Sequence, residues 1–338
     1  MTGFGDRAFW SGRRVFVTGG AGFIGSRLVE RLVDLEALVT VAVRPERTET
    51  PSRLRDIADR ISIRRVELAN ETALLPHLAG TDVVLHLAGK TGPGVLLSSQ
   101  NQARMLYENL QPFLTVLEAS RRAGVGRFLV CSSACIYPRD ARNPISEDDG
   151  FTGMPEPANE GYGMAKRYQE YAGAQYAGDY GMHVTIARLF NTYGPGDRFD
   201  ARASHVIPAL ISKALEATDT MEVWGTGEAT RSFLYLDDCV RGLLTAVERA
   251  PSAVPINIGP AGSTTIRELA GLIARCCGKP HLKLKFDTSK PEGQVFRTAD
   301  ISRAERLLGF RPAVTLEEGL RRTLVWREKE LFQRQVGV

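Results

Sequence analysis

Tyr162 and Lys166 have the types and spacing of a proton-handling pair, in the segment Tyr162-Gly-Met-Ala-Lys166. Four residues make about one helical turn, so a helix here presents both side chains on one face. A free phenol has a pKa of about 10 and is a poor base at neutral pH. We expect the nearby ammonium to favour the phenolate, so that Tyr162 exchanges a proton with a carbonyl or alcohol oxygen. The same pattern also recurs by chance on solvated helices.

Cys135 and His205 are candidates for moving protons at carbon. A free thiol has a pKa of roughly 8.5 and acts as a base where its surroundings favour the thiolate. An imidazole titrates near neutrality and can act as the opposing acid. Cys135 lies just past a predicted strand that ends at Ser133, so it can reach the same site. Taken alone, such a cysteine is more often a packing residue and such a histidine a structural one, and only the resemblance given below favours the chemical role.

A glycine-rich segment, Thr18–Ser26, reads TGGAGFIGS and lies between a predicted strand and a predicted helix. Glycines in such a turn let the backbone approach a pyrophosphate, and the helix N-terminus offers unpaired N–H groups to it. The segment therefore predicts a dinucleotide site, although an ordinary strand-to-helix turn is the alternative. The candidate cofactor residues of this turn are Gly19, Gly22, Phe23, Ile24 and Gly25.

The end of the second predicted strand, Val41-Ala42-Val43-Arg44, indicates which dinucleotide binds. Readers of NAD usually place a carboxylate there for the ribose 2′-hydroxyl. A guanidinium instead suits a 2′-phosphate, because its fork can bond two phosphate oxygens. Arg44 therefore favours NADP(H) over NAD(H), and a solvated strand-end arginine is the alternative.

Strands and helices alternate over the first 190 residues, which predicts right-handed crossovers and a doubly wound parallel sheet. Beyond residue 194 short strands and helices mix with proline and glycine. We therefore expect an α/β Rossmann fold, with a mainly NADP-binding domain at 13–190 and a smaller mixed α/β substrate lobe mainly at 191–330. Some strands and helices are expected to be exchanged between the two. Residues 1–12 are expected to fray, and Asn143–Asn159 to form a surface loop or lid.

The chain resembles the extended short-chain dehydrogenase/reductase family over nearly its whole length, from Arg14 to about Trp326. The matching segments are TGGAGFIGS, the strand end Leu87-Ala88-Gly89, Ser133, and Tyr162-x-x-x-Lys166. The resemblance implies that Ser133, Tyr162 and Lys166 form the catalytic triad. It also implies that Leu87, Ala88, Gly89 and Lys166 contact the cofactor.

A narrower resemblance is to the GDP-L-fucose synthases. It is carried by these segments: Cys135-Ile-Tyr-Pro138, Asn159-Glu-x-Tyr162, Tyr193-Gly-Pro195, Ser204-His-Val-Ile-Pro-Ala-Leu210, Thr265-Ile-Arg-Glu-Leu-Ala270 and Ser289-Lys-Pro-Glu-Gly293. The stretches Ser132–Pro138 and Trp224–Phe233 are equally similar to the GDP-mannose 3,5-epimerases. The resemblance implies that Cys135 and His205 are the epimerisation pair; the GDP-mannose epimerases have a lysine at the position of His205.

The same resemblance implies a substrate site for a nucleotide-diphosphate sugar, with a GDP-hexose favoured. Its candidate residues are Asn191, Lys213, Trp224, Arg231 and Lys290. For each lysine or arginine a solvated surface charge is the alternative. The chain departs from the fucose synthases at Ala21, where they carry a basic residue, at Lys213, where they carry arginine, and along Lys90–Asn101. These departures leave room for another nucleotide sugar or for epimerisation of one carbon only.

We therefore predict an NADPH-dependent epimerase/reductase of a nucleotide-linked 4-keto-6-deoxyhexose. Cys135 and His205 would epimerise C3 and C5, and Tyr162 would protonate the C4 oxygen as hydride arrives. The alternatives are a 4-ketoreductase, a C5-only epimerase/reductase, and a non-redox epimerase with tightly bound NADP. A catalytically silent NADP-binding regulator is disfavoured by the intact triad.

The overall composition limits the classes of binding partner, metal and compartment that we expect. The 43 basic and 39 acidic residues give a net charge of +4 with no basic run, so nucleic acid is not expected. Five cysteines without Cys-x-x-Cys or Cys/His metal spacing argue against disulfides and zinc. Without a signal-like start or a membrane-length apolar stretch, we expect a cytoplasmic protein. The apolar stripe on the predicted helix Gln100–Ala123 favours a homodimer, or it only packs on the sheet.

Overall fold

A seven-stranded sheet forms the centre of the protein in the computed structural model, which describes residues 5–90, 101–199, 204–260, 262–290 and 296–336. All of its strand pairs are parallel, and the spatial order is β11-β6-β5-β4-β1-β2-β3. The strands of this sheet are β1 (Arg14–Thr18), β2 (Leu38–Val43), β3 (Ser62–Arg65), β4 (Val83–His86), β5 (Arg127–Ser133), β6 (His183–Leu189) and β11 (Pro255–Ile258). The predicted Rossmann α/β fold is confirmed.

Helices cover both faces of the sheet and pack around a second, smaller core. Within the described residues the helices are α1 (Arg7–Trp10), α2 (Phe23–Asp34), α3 (Glu71–Leu78), α4 (Gln102–Arg122), α5 (Glu160–Tyr180), α6 (Val206–Glu216), α7 (Leu236–Arg249), α8 (Ile266–Cys276), α9 (Ser302–Leu308) and α10 (Leu316–Val336). None of them is both long and apolar enough to cross a membrane.

The remaining strands form three small sheets. They are β7 (Thr192–Tyr193) with β10 (Leu234–Tyr235), β8 (Thr220–Trp224) with β13 (Lys283–Asp287), and β9 (Thr230–Arg231) between β12 (Thr264–Thr265) and β14 (Phe296–Arg297). A separate apolar core under them includes Ile211, Val223, Leu269 and Leu320. These strands and this core fall within residues 191–330, the range of the predicted substrate lobe, whose role stays a prediction.

The order of the strands fixes where a ligand can bind. The crossovers reverse direction between β1 and β4, so the loops after these two strands diverge and leave a crevice at their carboxyl ends. The central strands β1 and β4 are almost continuously buried, because helices cover both faces of the sheet there. The glycine turn follows β1, and the segment Leu87-Ala88-Gly89 follows β4.

The prediction that residues 1–12 fray is wrong. Within residues 1–12 the chain forms α1, and Trp10 is fully buried with its Nε1 donating to Glu248 Oε1 at 2.5 Å. The segment Asn143–Asn159 is an irregular surface loop, as predicted, and a few buried residues anchor it. Ile145 is buried and forms a β-bridge with Ala299. The backbone N–H of Asn257 donates to Glu147 Oε1 at 2.8 Å. A buried apolar or polar anchor inside a Pro- and Gly-rich stretch carries no local sequence signal.

Candidate active site

The glycine turn after β1 forms a tight cradle. Gly19 has a φ of 73°, and a Cβ at this position would lie 2.6 Å from the backbone nitrogen of Ala88. A Cβ on Gly22 would lie 3.1 Å from the Gly19 carbonyl oxygen, and one on Gly25 would overlap that oxygen. Gly22 is the N-cap of α2 and supplies no side-chain cap. The first N–H groups of the helix, those of Phe23 and Ile24 included, are thus left for a ligand.

The loop after β4 closes the other side of this cradle. The amide of Leu87 donates to the Thr18 carbonyl at 3.1 Å, and the amide of Ala88 to Thr18 Oγ1 at 3.2 Å. Gly89 is exposed. A cradle that no side chain could share, opening on a helix N-terminus, fits the pyrophosphate of a dinucleotide.

Arg44 lies exposed directly after β2, the strand next to β1. The end of this strand is where the ribose of an adenosine bound in such a crevice lies. A guanidinium there matches a 2′-phosphate in charge and in hydrogen-bonding shape. Arg44 therefore stays the predicted determinant of cofactor choice.

Helix α5 and the end of β5 bring the predicted triad together. The Tyr162 phenol lies close enough to the Ser133 hydroxyl for the hydroxyl to act on its pKa, and Lys166 Nζ lies 5.7 Å from the centroid of the Tyr162 ring. Lys166 is buried and donates to the Cys131 carbonyl at 2.8 Å and to Gln169 Oε1 at 3.0 Å. These bonds hold the ammonium behind the phenol, where a nicotinamide ribose could reach it.

Burial dominates the electrostatics of this triad. It raises the pKa of Tyr162, and the neighbouring thiols of Cys135 and Cys131 add to the rise, while the Ser133 hydroxyl opposes it. Burial also lowers the pKa of Lys166. Among the groups of the protein itself, burial therefore favours the protonated form of Tyr162. A protonated phenol is the form needed to donate a proton to a carbonyl oxygen.

A buried ion pair supports the triad from behind. Arg188 on β6 donates to Glu170 on α5, from Nε to Oε1 at 3.0 Å and from Nη2 to Oε2 at 2.8 Å. Ser132, the neighbour of Ser133, donates from Oγ to the same carboxylate. Both charged side chains are almost fully buried. The pair ties α5 to β5 and β6, the elements that carry the triad.

Cys135 follows β5 in a short helical turn. Its backbone amide donates to Ser133 Oγ at 3.2 Å, so the two residues are neighbours at the same strand end. Its side chain is half-buried, so the thiol is open to a ligand. On the substrate-lobe side it meets Arg297, whose Nη1 lies 3.9 Å from Sγ. Cys135 thus lies beside the triad, as its predicted role requires.

His205 is the N-cap residue of α6 and is mostly exposed. Its Nδ1 lies 3.3 Å from Oδ1 of the buried Asp197. Hydrogen bonding to Asp197 raises the pKa of His205, against the smaller effect of burial. The loop that carries Asp197 also adjoins the dinucleotide turn, because a Cβ on Gly196 would lie 3.9 Å from Phe23 Cδ2. The imidazole is therefore held near the mouth of the crevice in a form able to donate a proton.

The predicted nucleotide residues gather around one indole ring. Lys213 Nζ lies 5.1 Å and Lys290 Nζ 6.0 Å from the centroid of the Trp224 ring. The carboxylate of Glu222 accepts from Trp224 Nε1 at 3.0 Å and from Lys213 Nζ at 3.1 Å. Trp224 is half-exposed. An open aromatic plate flanked by two ammonium groups suits a nucleotide base and its phosphates.

The other two predicted substrate residues lie on the strands of this lobe. Asn191 is exposed beyond the end of β6, and its Nδ2 donates to the Ser232 carbonyl at 3.2 Å. Arg231 on β9 is partly buried, with Nη1 donating to the Thr230 carbonyl at 2.7 Å. Of the segments that carried the resemblance, part of Ser289–Gly293 lies outside the described residues. Most of Lys90–Asn101, where the chain departs from the fucose synthases, also lies outside them.

Comparison with known proteins identifies the family. The sequence profile of the NAD dependent epimerase/dehydratase family matches residues 15–259. The chain belongs to the NAD-dependent epimerase/dehydratase family. Members of this epimerase/dehydratase family bind nicotinamide dinucleotides and modify nucleotide sugars, and they are extended short-chain dehydrogenases/reductases.

Individual relatives are similar to this chain over most of its length. A GDP-L-fucose synthase of Sinorhizobium fredii is 36% identical over 315 residues, which are 91% of this chain and 93% of that protein. A dTDP-4-dehydro-6-deoxy-D-allose reductase of a Streptomyces species is 33% identical over 321 residues, 94% and 97% of the two chains. A UDP-glucose 4-epimerase of Thermotoga maritima, solved with UDP-glucose, superposes with a TM-score of 0.82 at 28% identity, covering 94% of this chain and 99% of that one.

Sequence reasoning missed three residues of this epimerase/dehydratase site. Asp197 pairs with His205, Glu222 joins Trp224 to Lys213, and Arg297 contacts Cys135. Alternation on β8 could have placed Glu222 on the same face as Trp224, since the two are two residues apart. The other two come from distant segments with no local pattern. No group of metal-ligating side chains occurs in the described part of the chain.

Proposed function

We propose that the protein is an NADPH-dependent epimerase/reductase acting on a nucleotide-linked 4-keto-6-deoxyhexose, with GDP as the favoured nucleotide. The observation that carries the proposal is the half-buried thiol of Cys135 beside the Ser133, Tyr162 and Lys166 cluster. A ketoreductase needs the cluster alone. A thiol next to the carbonyl site supplies the carbon base that epimerisation requires.

The glycine cradle, Leu87–Gly89 and Arg44 would hold NADP(H), with Lys166 on the nicotinamide ribose. When bound, NADPH supplies a hydride to C4 of the sugar. Tyr162 then donates its proton to the C4 oxygen, assisted by the Ser133 hydroxyl. The pKa of the phenol, raised by burial, keeps that proton in place until the oxygen becomes basic.

Before that reduction, Cys135 takes a proton from a carbon next to the ketone, and His205 returns one on the opposite face. The epimerised carbons are proposed to be C3 and C5. Ser133 and Tyr162 hold the C4 oxygen as the intermediate enolate forms, because an oxyanion gains most from preorganised donors. Asn191, Lys213, Trp224, Arg231 and Lys290 would bind the nucleotide diphosphate and the sugar.

The test is to incubate the purified protein with GDP-4-keto-6-deoxymannose in D₂O, with NADPH or NADH. We expect loss of 340 nm absorbance with NADPH, and deuterium at C3 and C5 of the product. Cys135→Ser should remove the deuterium, and Tyr162→Phe should remove the absorbance change. An Arg44→Asp variant should lose the preference for NADPH. If the protein shows no reduction and no deuterium uptake, the proposal is overturned and a silent NADP binder is indicated.

A second candidate is a 4-ketoreductase, because the dTDP-4-dehydro-6-deoxy-D-allose reductase covers the chain as fully as the fucose synthase does. The same assay with dTDP-4-keto-6-deoxyglucose distinguishes the two. Reduction without deuterium at C3 or C5 assigns a plain reductase, and deuterium at C5 alone a C5-only epimerase/reductase. Deuterium without oxidation of NADPH assigns a non-redox epimerase.

We also propose a cytoplasmic homodimer. Helices α4 and α5 pack against each other and expose Tyr107 and Leu114 on one, and Tyr168 and Tyr171 on the other. Such a set of apolar side chains on adjacent helices suits burial against a second copy. Phe113 and Leu117, by contrast, pack on the sheet, so the predicted stripe on this helix divides between the two roles. A reducing compartment is part of the proposal, because Cys135 must remain a free thiol.

A further inference from the structure

Arg297 is a buried cation without a counter-charge in the described part of the chain. It lies on β14 with 7% of its surface exposed, and its Nε and Nη2 have no hydrogen-bond partner among the described residues. Its Nη1 lies 3.9 Å from Cys135 Sγ. The contact joins residues 162 positions apart, from the substrate lobe to the end of β5. The arginine therefore reaches across to the proposed base.

A guanidinium in such a place is costly unless it meets an anion. Buried charges in proteins are usually paired, because an unpaired one destabilises the fold. Two other buried arginines lie near this site. Arg188 follows the rule by pairing with Glu170, and Arg167 on α5 donates from Nε to the Ile136 carbonyl at 2.9 Å. Arg297 departs from it, and the group it contacts is a thiol that carries a negative charge when ionised.

We propose that Arg297 is the charge partner of the Cys135 thiolate, and that its Nε and Nη2 bind an oxygen of the hexose. The inference rests on the proposed function, because it assigns the cation that makes Cys135 a base. Holding both the sulfur and a sugar oxygen, the guanidinium would also set the distance between the thiolate and the carbon that loses its proton.

Two titratable groups of α5, Tyr162 and Lys166, also interact electrostatically with Cys135. Burial keeps Tyr162 protonated and neutral, so it offers the thiolate no charge. Lys166 is cationic, but it already donates to the Cys131 carbonyl and to Gln169 Oε1. Arg297 differs from both because its guanidinium touches the sulfur itself. It is therefore the group that a charge-removing substitution should test.

The proposed step balances in protons and charge. The thiolate takes the proton from the carbon next to the ketone and becomes a neutral thiol. The electron pair of that C–H bond moves to the C4 oxygen, which becomes the enolate held by Ser133 and Tyr162. His205 then protonates the carbon from the other face and is left neutral, and solvent exchange restores both residues. Arg297 stays cationic throughout.

The test measures alkylation of the free enzyme by iodoacetamide from pH 6 to 9, with Cys135 followed by tandem mass spectrometry. In the unaltered protein we expect Cys135 to react at pH 7 about tenfold faster than Cys276, whose pKa burial raises. In Arg297→Met the rate at pH 7 should fall about tenfold. Arg297→Lys keeps a cation and should lose less than about threefold. NADPH binding and the melting temperature report whether each variant is folded.

Arg231→Met is the matched control, since Arg231 is in register with Arg297 on the paired strand β9. It should leave the alkylation rate of Cys135 within about twofold of the unaltered protein. Arg297→Met should also raise KM for the keto sugar, because the Nε and Nη2 donors to the substrate are lost. If Arg297 had a purely structural role, replacing it would leave the pH dependence of Cys135 alkylation unchanged.

Two results would overturn the inference. One is a Cys135 that alkylates no faster than Cys276 in the unaltered protein, which needs no variant to observe. The other is a folded Arg297→Met with the unaltered profile. Because alkylation uses no substrate, the proposed function can fail while this pairing stands. Conversely, if the protein epimerises the sugar and Arg297→Met leaves the alkylation profile of Cys135 unchanged, the proposed function stands and the role of Arg297 is refuted.

Discussion

Replacing Arg188 by methionine tests whether the buried pair behind the triad is integral to the fold. The substitution removes three hydrogen bonds to Glu170, a bond from Nη1 to the Tyr137 hydroxyl at 3.0 Å, and one to the Glu147 carbonyl at 2.6 Å. It leaves the Glu170 carboxylate, 3% exposed, without its ion-pair partner. Breaking one partner of such a pair costs about 3–5 kcal/mol.

That cost converts into a melting shift. For 338 residues, an unfolding entropy of about 2 cal/mol/K per residue gives roughly 0.7 kcal/mol/K, so Arg188→Met should lower Tm by about 4–7 °C. Adding Glu170→Gln removes the stranded charge but keeps an acceptor for Ser132. The double variant should therefore recover about half of the loss.

Differential scanning calorimetry at pH 7 measures both variants. Arg7→Met is the control, because Arg7 pairs with Glu36 in an exposed ion pair and its loss should leave Tm unchanged. The reasoning is refuted if Arg188→Met melts within 1 °C of the unaltered protein, or if the double variant is less stable than the single one. The first result would mean that the pair contributes nothing net, and the second that the carboxylate is stabilised by other groups.

Three further predictions address the site and the assembly. Gly19→Ala should abolish NADPH binding in a fluorescence titration, because the added methyl group overlaps the backbone after β4 and the residue has a positive φ. Asp197→Asn removes the group that raises the pKa of His205, so deuterium uptake should fall at a lower pH than in the unaltered enzyme; an unmoved alkaline limb contradicts the assignment. Leu114→Glu with Tyr171→Glu should convert the dimer into a monomer in light scattering, without loss of NADPH binding.

Local pattern was enough to predict the sheet and its crevice. The glycine turn, the alternation of strands and helices, and the one-turn spacing of Tyr162 and Lys166 are all signals within thirty residues. Strand β5 ends at Ser133, as predicted, and Tyr162 and Lys166 lie on one helix, α5, as their spacing predicts. Patterns of this kind succeed because the hydrophobic periodicity of an element is set by its own burial.

What the sequence left open depends on contacts between distant segments. Arg297 reads as an ordinary charged residue, and only packing places it on a sulfur 162 residues away. The same limit applies to Tyr162, because the ammonium of Lys166 is visible in the sequence and the desolvation that raises the pKa of the phenol is not. The division of the chain at residue 190 stays a prediction.

The sheet does not end where the first half of the chain ends. Strand β11, from residues 255–258, pairs with β6 and completes the edge beside it, and Asn257 on this strand donates to the Ile145 carbonyl at 3.0 Å. A fragment cut at residue 190 would therefore expose the bare hydrogen-bonding edge of β6 and lose that anchor. Transplanting the dinucleotide half into a chimera consequently requires the later strand to be carried along with it, for instance by circular permutation.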